Sequence, residues 1–260
     1  MFKVLGKKFK RGSNFSVFKI GHRVYKLPLV PAAVRELKIE MENIKTARQD
    51  PHFQNYLPPY QFNQFMISLP YYQSIILDSS DQSLVLDYFK NAFNEFQDWP
   101  EVSLSQVINC TYLLDFIKKN LDDKLEMWQN YLSTQKISSS SMHGDFHWEN
   151  ILIKDKILFF VDWVRYQKTG SRFFDLVDFA VFARKKPADA WFEGWQQLSQ
   201  IYPNHLYNVA VTQDEIMAYS IWKIAEELKT LNLRKKLDGQ KTKKYLRLLE
   251  IIGKRLGFYD

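Results

Sequence analysis

Met142-His143-Gly144-Asp145-Phe146-His147-Trp148-Glu149-Asn150-Ile151-Leu152 is the most informative stretch of this 260-residue chain. A run of serines at 138–141 precedes it as a polar spacer that ends the helix before it. Two short apolar runs follow, 151–154 and 157–161, joined through Lys154-Asp155-Lys156, and they read as a hairpin. The polar residues therefore stand on a loop held by rigid elements. An Asp and an Asn five positions apart, Asp145 and Asn150, can face one ligand from two sides. The second apolar run ends in Val161-Asp162-Trp163, which adds a carboxylate at a strand end. Carboxylate and amide oxygens are hard ligands, suited to Mg²⁺ beside phosphate oxygens. With Asn150 and Asp162 on the metal, Asp145 remains to accept a proton from an attacking hydroxyl. Phosphoryl transfer needs that division: a metal to neutralise the phosphates and a base to orient the nucleophile.

Toward the N-terminus, residues 15–20 and 23–27 read as two short strands about a turn at 20–23, with Gly12 ahead of the first. After Pro28 and Pro31 the period changes. Leu37, Met41 and Ile44 recur at i, i+4 and i+7, which predicts a helix. Residues 62–69 read as one further strand ending at Pro70. Residues 1–70 are thus expected to form a small lobe of sheet with one helix. Residues 71–260 are expected to form a larger, mainly helical lobe. Its apolar stripes include Leu84, Leu86, Phe89, Phe93 and Phe96, and the last helix carries Tyr245, Leu248, Leu249, Ile252 and Leu256 on one face.

Composition narrows the function classes. Hydrophobic residues at 46% can bury a sizeable core, and a lone cysteine, Cys110, excludes an intrachain disulfide and fits a reducing, cytoplasmic setting. Residues 1–7 lack the apolar core of a signal peptide, and no apolar run is long enough to span a bilayer. The net charge of +7 is concentrated in residues 221–260, where eleven Lys/Arg face five Asp/Glu. That excess reads either as a solvated helix face or as an electrostatic site for an anionic substrate or membrane surface. No nucleic-acid motif accompanies it. His143 and His147 straddle a Gly-Asp loop without a third ligand, which argues against zinc.

His143-Gly144-Asp145, four residues, Asn150, and then Val161-Asp162-Trp163 resemble the aminoglycoside phosphotransferase and choline kinase-like family. These relatives of protein kinases carry H-G-D-x-x-x-x-N followed by I/V-D-W/F. Gly170 with Asp175-Leu176 is similar to the family's glycine and Asp-Leu pair. The strong match covers residues 142–176; the N-terminal part matches in layout, and the C-terminal third only in character.

The resemblance implies a protein kinase-like two-lobed α+β fold that binds ATP or GTP with Mg²⁺ between its lobes. It makes Asp145 the catalytic base, places Asn150 and Asp162 on the metal, and has His143 brace the loop and Asp175 bond its backbone. Lys26 resembles the strand lysine that contacts the nucleotide phosphates. Glu40 resembles the helix glutamate that pairs with it, with Glu36 one turn earlier as the alternative. Backbone groups around Ile67 and Leu69 would meet the nucleobase. The expected phosphate-covering loop, residues 11–16, offers a single glycine, with Ser13 and Ser16 as phosphate contacts. Only 13 positions separate Asp162 from Asp175 and no Ala-Pro-Glu follows, so the expected acceptor is the hydroxyl of a sugar, aminoglycoside or amino alcohol, not of a protein. The rival expectation is a pseudokinase-type nucleotide-binding or scaffold module without turnover.

Overall fold

The computed structural model describes residues 14–76, 80–95, 99–183, 213–233 and 237–259. The first elements are β1 (Phe15–Ile20), β2 (Arg23–Pro28), α1 (Pro31–Ala47), β3 (Gln61–Asn63), β4 (Met66–Pro70), β5 (Gln73–Ser74) and α2 (Ser80–Glu95). Then come β6 (Glu101–Ser103), α3 (Leu104–Val107), α4 (Cys110–Asn120), α5 (Leu125–Thr134), β7 (Lys136–Ser138) and β8 (Ser140–Met142). β9 (Ile151–Lys154), β10 (Ile157–Phe160), β11 (Gln167–Gly170) and α6 (Arg172–Ala183) follow, with α7 (Gln213–Leu233) and α8 (Gly239–Arg255) after them. These elements give the kinase-like α+β class: a small antiparallel sheet with one helix near the N-terminus and a mainly helical remainder. No described helix is long and apolar enough to cross a membrane.

Two compact units divide the chain, one within Met1–Glu95 and His143–Gln167, the other within Phe96–Met142 and Lys168–Asp260. This division runs across the boundary expected after residue 70. The reason is strand pairing: β5 pairs with β9, extending the β9–β10 hairpin and joining the segment after residue 70 to the loop that begins at His143.

In the first unit a four-stranded sheet has the order β1-β2-β4-β3. β1 and β2 fall where alternation placed them, with Val17 opposite Lys26. The single strand read over 62–69 is instead a hairpin, β3 and β4. Asn63 breaks it, because its side-chain oxygen accepts the Phe65 backbone N–H at 2.9 Å and so closes a local turn. On α1 the i, i+4, i+7 pattern buries Ala33, Leu37, Met41 and Ile44 on one face, and Glu40 is buried among them. The β9–β10 turn takes Asp155 and Lys156 to φ 51° and 64°, the left-handed geometry that matches a two-residue turn to strand twist. Phe53, Tyr56, Tyr88, Phe89, Phe146, Phe160 and Trp163 pack as an aromatic core, with Phe146 and Phe160 centroids 4.7 Å apart.

The second unit is built on α4 to α8, with the small pairings β6–β7 and β8–β11. Residues 138–141 are not merely a spacer: the helix before them ends at Thr134, and β7 and β8 take up Ser138, Ser140 and Ser141. α7 is buried nearly all round from Ile216 to Glu226. Such a helix has no wet face for its polar residues, so they must pair inside. Lys223 Nζ and the Tyr219 hydroxyl both donate to Asp178 Oδ1 at 2.6 Å, and all three are buried.

Removing one partner of that pair leaves an uncompensated charge in the core. Asp178→Ala is expected to destabilise the protein by about 3–5 kcal/mol, whereas replacing Asp178 and Lys223 together by apolar residues of similar volume recovers most of the loss. Urea unfolding midpoints of the two variants check this, and equal losses in both would refute it.

Candidate functional site

Lys26 lies on β2, and its ammonium is shared between two carboxylates. Nζ is 2.7 Å from Glu40 Oε2 on α1 and 2.9 Å from Asp162 Oδ1, just beyond β10. Phe15 places its ring centroid 4.7 Å from the same nitrogen. Of the two glutamates that the resemblance offered, Glu40 is the one whose carboxylate meets Lys26. Burial works against the ammonium, but the Asp162 and Glu40 carboxylates outweigh it and hold Lys26 protonated, above the ordinary lysine range. Burial raises the Glu40 carboxyl above its usual range, while Lys26 pulls it back.

Asp162 occupies the left-handed region, φ 71° and ψ 62°. That conformation is uncommon outside glycine and is held here by the surroundings. Asn43, one turn beyond Glu40 on α1, donates its side-chain amide to the carbonyls of Trp163 at 2.8 Å and Val164 at 3.2 Å. Trp163 is buried against Phe53 and His143, and its indole N–H bonds the Phe160 carbonyl at 3.0 Å. Tyr166 extends the tie by donating its hydroxyl to buried Asp50 at 2.8 Å. The turn after β10 is therefore clamped to α1 and to the stretch that follows it. Asn43 escaped the sequence reading; its i, i+3 relation to Glu40 was the one signal available.

The loop opened by His143 is held from inside. The buried imidazole places Nε2 3.0 Å from the Val161 carbonyl and Nδ1 3.3 Å from the Asp145 backbone N–H. Both contacts suit a neutral ring that donates at Nε2 and accepts at Nδ1. Gly144 has φ +79°, and a Cβ there would lie 2.3 Å from the Arg165 carbonyl oxygen, so only glycine fits. Asp145 is about a quarter exposed. Its Oδ2 accepts from Asn150 Nδ2 at 3.2 Å and lies 3.6 Å from His147 Nε2; its Oδ1 lies 3.4 Å from Arg165 Nη1.

Asn150 is buried, and its amide nitrogen also donates to the Asp145 carbonyl at 2.9 Å. That assignment turns the amide oxygen the other way, as the end able to meet a cation. Val161 N–H bonds the Asn150 carbonyl at 3.0 Å, which ties Asn150 to the strand leading into Asp162. Among the described residues no group of three or more His, Cys, Asp or Glu could hold a metal by itself. The donor set nonetheless fits Mg²⁺, which usually takes one or two protein oxygens and completes its shell with phosphates and water. Asn150 and Asp162 are the pair that could supply those oxygens.

The structure thus gathers Lys26, Glu40 and Asp162 into one ionic group, and His143, Asp145 and Asn150 into one loop. Ile67 lies buried on β4 directly opposite Lys26, and Leu69 lies opposite Val24. Ser16 sits half-buried on β1 opposite Leu27, while Ser13 lies outside the described residues. Asp175 is buried in the first turn of α6, in the second unit. His147 and Arg165, both at the Asp145 carboxylate, were not read from the sequence as site residues; Arg165 follows Asp162 by three positions, a spacing with no chemical signature of its own.

No protein family matches the chain in sequence, and no curated protein does. Solved structures do match. A choline/ethanolamine kinase family protein from Mesorhizobium loti aligns with TM-score 0.57 at 13% identity, covering 97% of this chain and 88% of that one. Choline kinase LicA from Streptococcus pneumoniae aligns with TM-score 0.57 at 13% identity, covering 98% and 93%. The macrolide 2'-phosphotransferase MphH from Brachybacterium faecium aligns with TM-score 0.51 at 15% identity, covering 96% and 91%. What this chain shares with the three at such identities is the protein kinase-like fold.

Proposed function

We propose that this protein is a small-molecule kinase that moves the γ-phosphate of ATP or GTP onto a hydroxyl. The observation that carries the reading is the placement of Lys26, Glu40 and Asp162 in one ionic group beside a loop that joins Asp145 to Asn150. The neighbours in fold include proteins named as choline kinase, macrolide 2'-phosphotransferase and aminoglycoside phosphotransferase. Fold alone does not assign chemistry, so the site has to carry it.

In this reading Lys26 meets the nucleotide phosphates, and Glu40 keeps its ammonium aimed at them. Asn150 and Asp162 would hold Mg²⁺, which when bound would neutralise phosphate charge. Asp145 accepts the proton of the acceptor hydroxyl and orients its oxygen for in-line attack. His143 fixes the loop that presents Asp145. Backbone groups near Ile67 and Leu69 receive the nucleobase, and Ser16 lies along the phosphate-covering segment. A catalytically silent nucleotide-binding module is the second reading, favoured by the single glycine in residues 11–16.

The test is nucleotide consumption with ATP and with GTP across a set of hydroxyl acceptors, in parallel with Mg²⁺-dependent thermal stabilisation. Acceptor-dependent turnover is the expected result. Stabilisation by nucleotide without turnover on any acceptor selects the silent module, and absence of both removes the reading altogether. General-base help is worth roughly 10²–10⁴ in rate. Asp145→Ala is therefore expected to lose about that factor in kcat while keeping the nucleotide-dependent thermal shift; turnover near wild type overturns the assignment.

The neutral state of His143 adds a pH dependence. Burial pushes its imidazole down to about 4 from an ordinary value near 6.5, despite the pull of Asp145 and Asp162. Above pH 6.5 the ring is neutral in both the folded and unfolded states and contributes no pH dependence. As pH falls from about 6.5 to about 4, the unfolded chain takes up the proton and the native one does not, so stability is lost. The loss approaches about 3 kcal/mol at the lower limit. Unfolding free energies of wild type and His143→Gln across pH 4–7 check it; an equal acid slope in both would falsify the neutral brace.

A further inference from the structure

Resting on the phosphotransfer reading above, we propose that Arg165 selects the acceptor: the small molecule phosphorylated here carries an anionic group, a phosphate or carboxylate, close to the reacting hydroxyl. The juxtaposition behind this is a guanidinium set against the proton acceptor. Arg165 Nη1 lies 3.4 Å from Asp145 Oδ1, and each side chain is about a quarter exposed, so solvent reaches both. A hydroxyl that gives its proton to Asp145 must come within about 2.6–3.2 Å of a carboxylate oxygen. When it bonds Oδ1, its oxygen stands within roughly 7 Å of Arg165 Nη1, inside the screening distance of about 8 Å at physiological salt.

At that range the sign of the acceptor's charge decides its fate. A cationic molecule such as choline brings like charge toward Arg165, while a phosphate or carboxylate meets a planar fork of five donors that matches its oxygens. Lys26 does not serve this purpose, because in the same reading its ammonium, held by Glu40 and Asp162, is assigned to the nucleotide phosphates. The position of Arg165 is also well fixed. Its carbonyl presses on Gly144, which tolerates no Cβ there, and the preceding Val164 carbonyl is held by Asn43.

Bracing Asp145 is the competing role for Arg165, and the hydrogen-bond pattern weighs against its being needed. The Asp145 main chain is already held at both ends, by His143 at its N–H and by Asn150 at its carbonyl, and Asn150 also donates to Oδ2. What Arg165 adds to the loop is charge at Oδ1, on a side that solvent reaches.

The experiment uses acceptors matched in skeleton and differing in charge: glucose 6-phosphate, glucose and glucosamine, and glycerol 3-phosphate, glycerol and 3-amino-1,2-propanediol. Acceptor-dependent nucleotide consumption and acceptor-independent hydrolysis are measured for wild type, Arg165→Gln and Arg165→Lys. The expected result is that an anionic member gives the highest kcat/KM in its series. Arg165→Gln is expected to cut the anionic-to-neutral ratio on the order of 10- to 100-fold, chiefly through KM, and Arg165→Lys to restore part of it. The wild-type ranking needs no variant, and a cationic member ranked first overturns the proposal even if Arg165→Gln fails to fold. A uniform fall across all three charge states assigns Arg165 to bracing and also overturns it. Acceptor-independent hydrolysis with no turnover on any anionic acceptor overturns the acceptor class alone. Loss of hydrolysis and of all turnover in wild type overturns the kinase reading instead.

Discussion

The ammonium of Lys26, held between Glu40 and Asp162, is the interaction on which the rest of the site depends. Each of the three comes from a different element: β2, α1 and the turn after β10. Ionic groups taken from water need close partners, and a carboxylate buried on the apolar face of α1 would otherwise be expelled or neutralised. The pairing therefore fixes the rotation of α1 about its axis, since Glu40 must face the sheet together with Leu37, Met41 and Ile44. The same rotation delivers Asn43 to the Trp163 and Val164 carbonyls. A single helix register thus sets the charge at Lys26 and the backbone of the turn that presents Asp162.

Around this group the fold supplies rigidity through aromatic rings. Trp163, Phe146, Phe160 and His143 touch one another edge to face, an arrangement that aromatic quadrupoles favour. His143 belongs to this packing and to the hydrogen-bond network at once. Its ring must be flat and uncharged to sit among apolar neighbours, and it needs one donor and one acceptor nitrogen to join the Val161 carbonyl to the Asp145 N–H. Among the neutral side chains only an imidazole offers that combination in a ring.

How much of this was legible in the sequence follows from how local each signal is. Asp145 and Asn150 are five apart on one loop, and Asp162 ends the hairpin that follows them, so short-range spacing was enough. β1, β2, β9 and β10 announced themselves through alternation and turn residues, and α1 through its 3.6-residue period. The break between β3 and β4 was hidden because Asn63 acts through a side-chain turn inside a run that otherwise reads as continuous strand. Ser138, Ser140 and Ser141 look like linker residues, and their place in β7 and β8 depends on partners at Glu101 and on β11. Asn43 and Arg165 are the deeper omissions. Each acts across more than a hundred positions or on the far side of a hairpin, and neither residue type carries a motif that would mark it.

Two ion clusters among the described residues show why a charge pair alone does not identify a site. In the second unit Lys223 and Asp178 are sealed, with side-chain exposures of 4% and 1%. The Asp178 Oδ1 atom takes both the Lys223 ammonium and the Tyr219 hydroxyl, and the role of the pair is to let α7 carry a cation through the core. In the first unit Lys26 and Glu40 are similarly withdrawn, at 15% and 2%, but Asp162 is 42% exposed. That cluster has an open end, and the open end is a carboxylate held in an unfavoured backbone conformation beside Asn150. A structural ion pair gains nothing from such an opening, since solvent there weakens the attraction. Strain together with exposure at the most polar residue is what a ligand of opposite charge would compensate, and it separates the group around Asp162 from the one around Asp178.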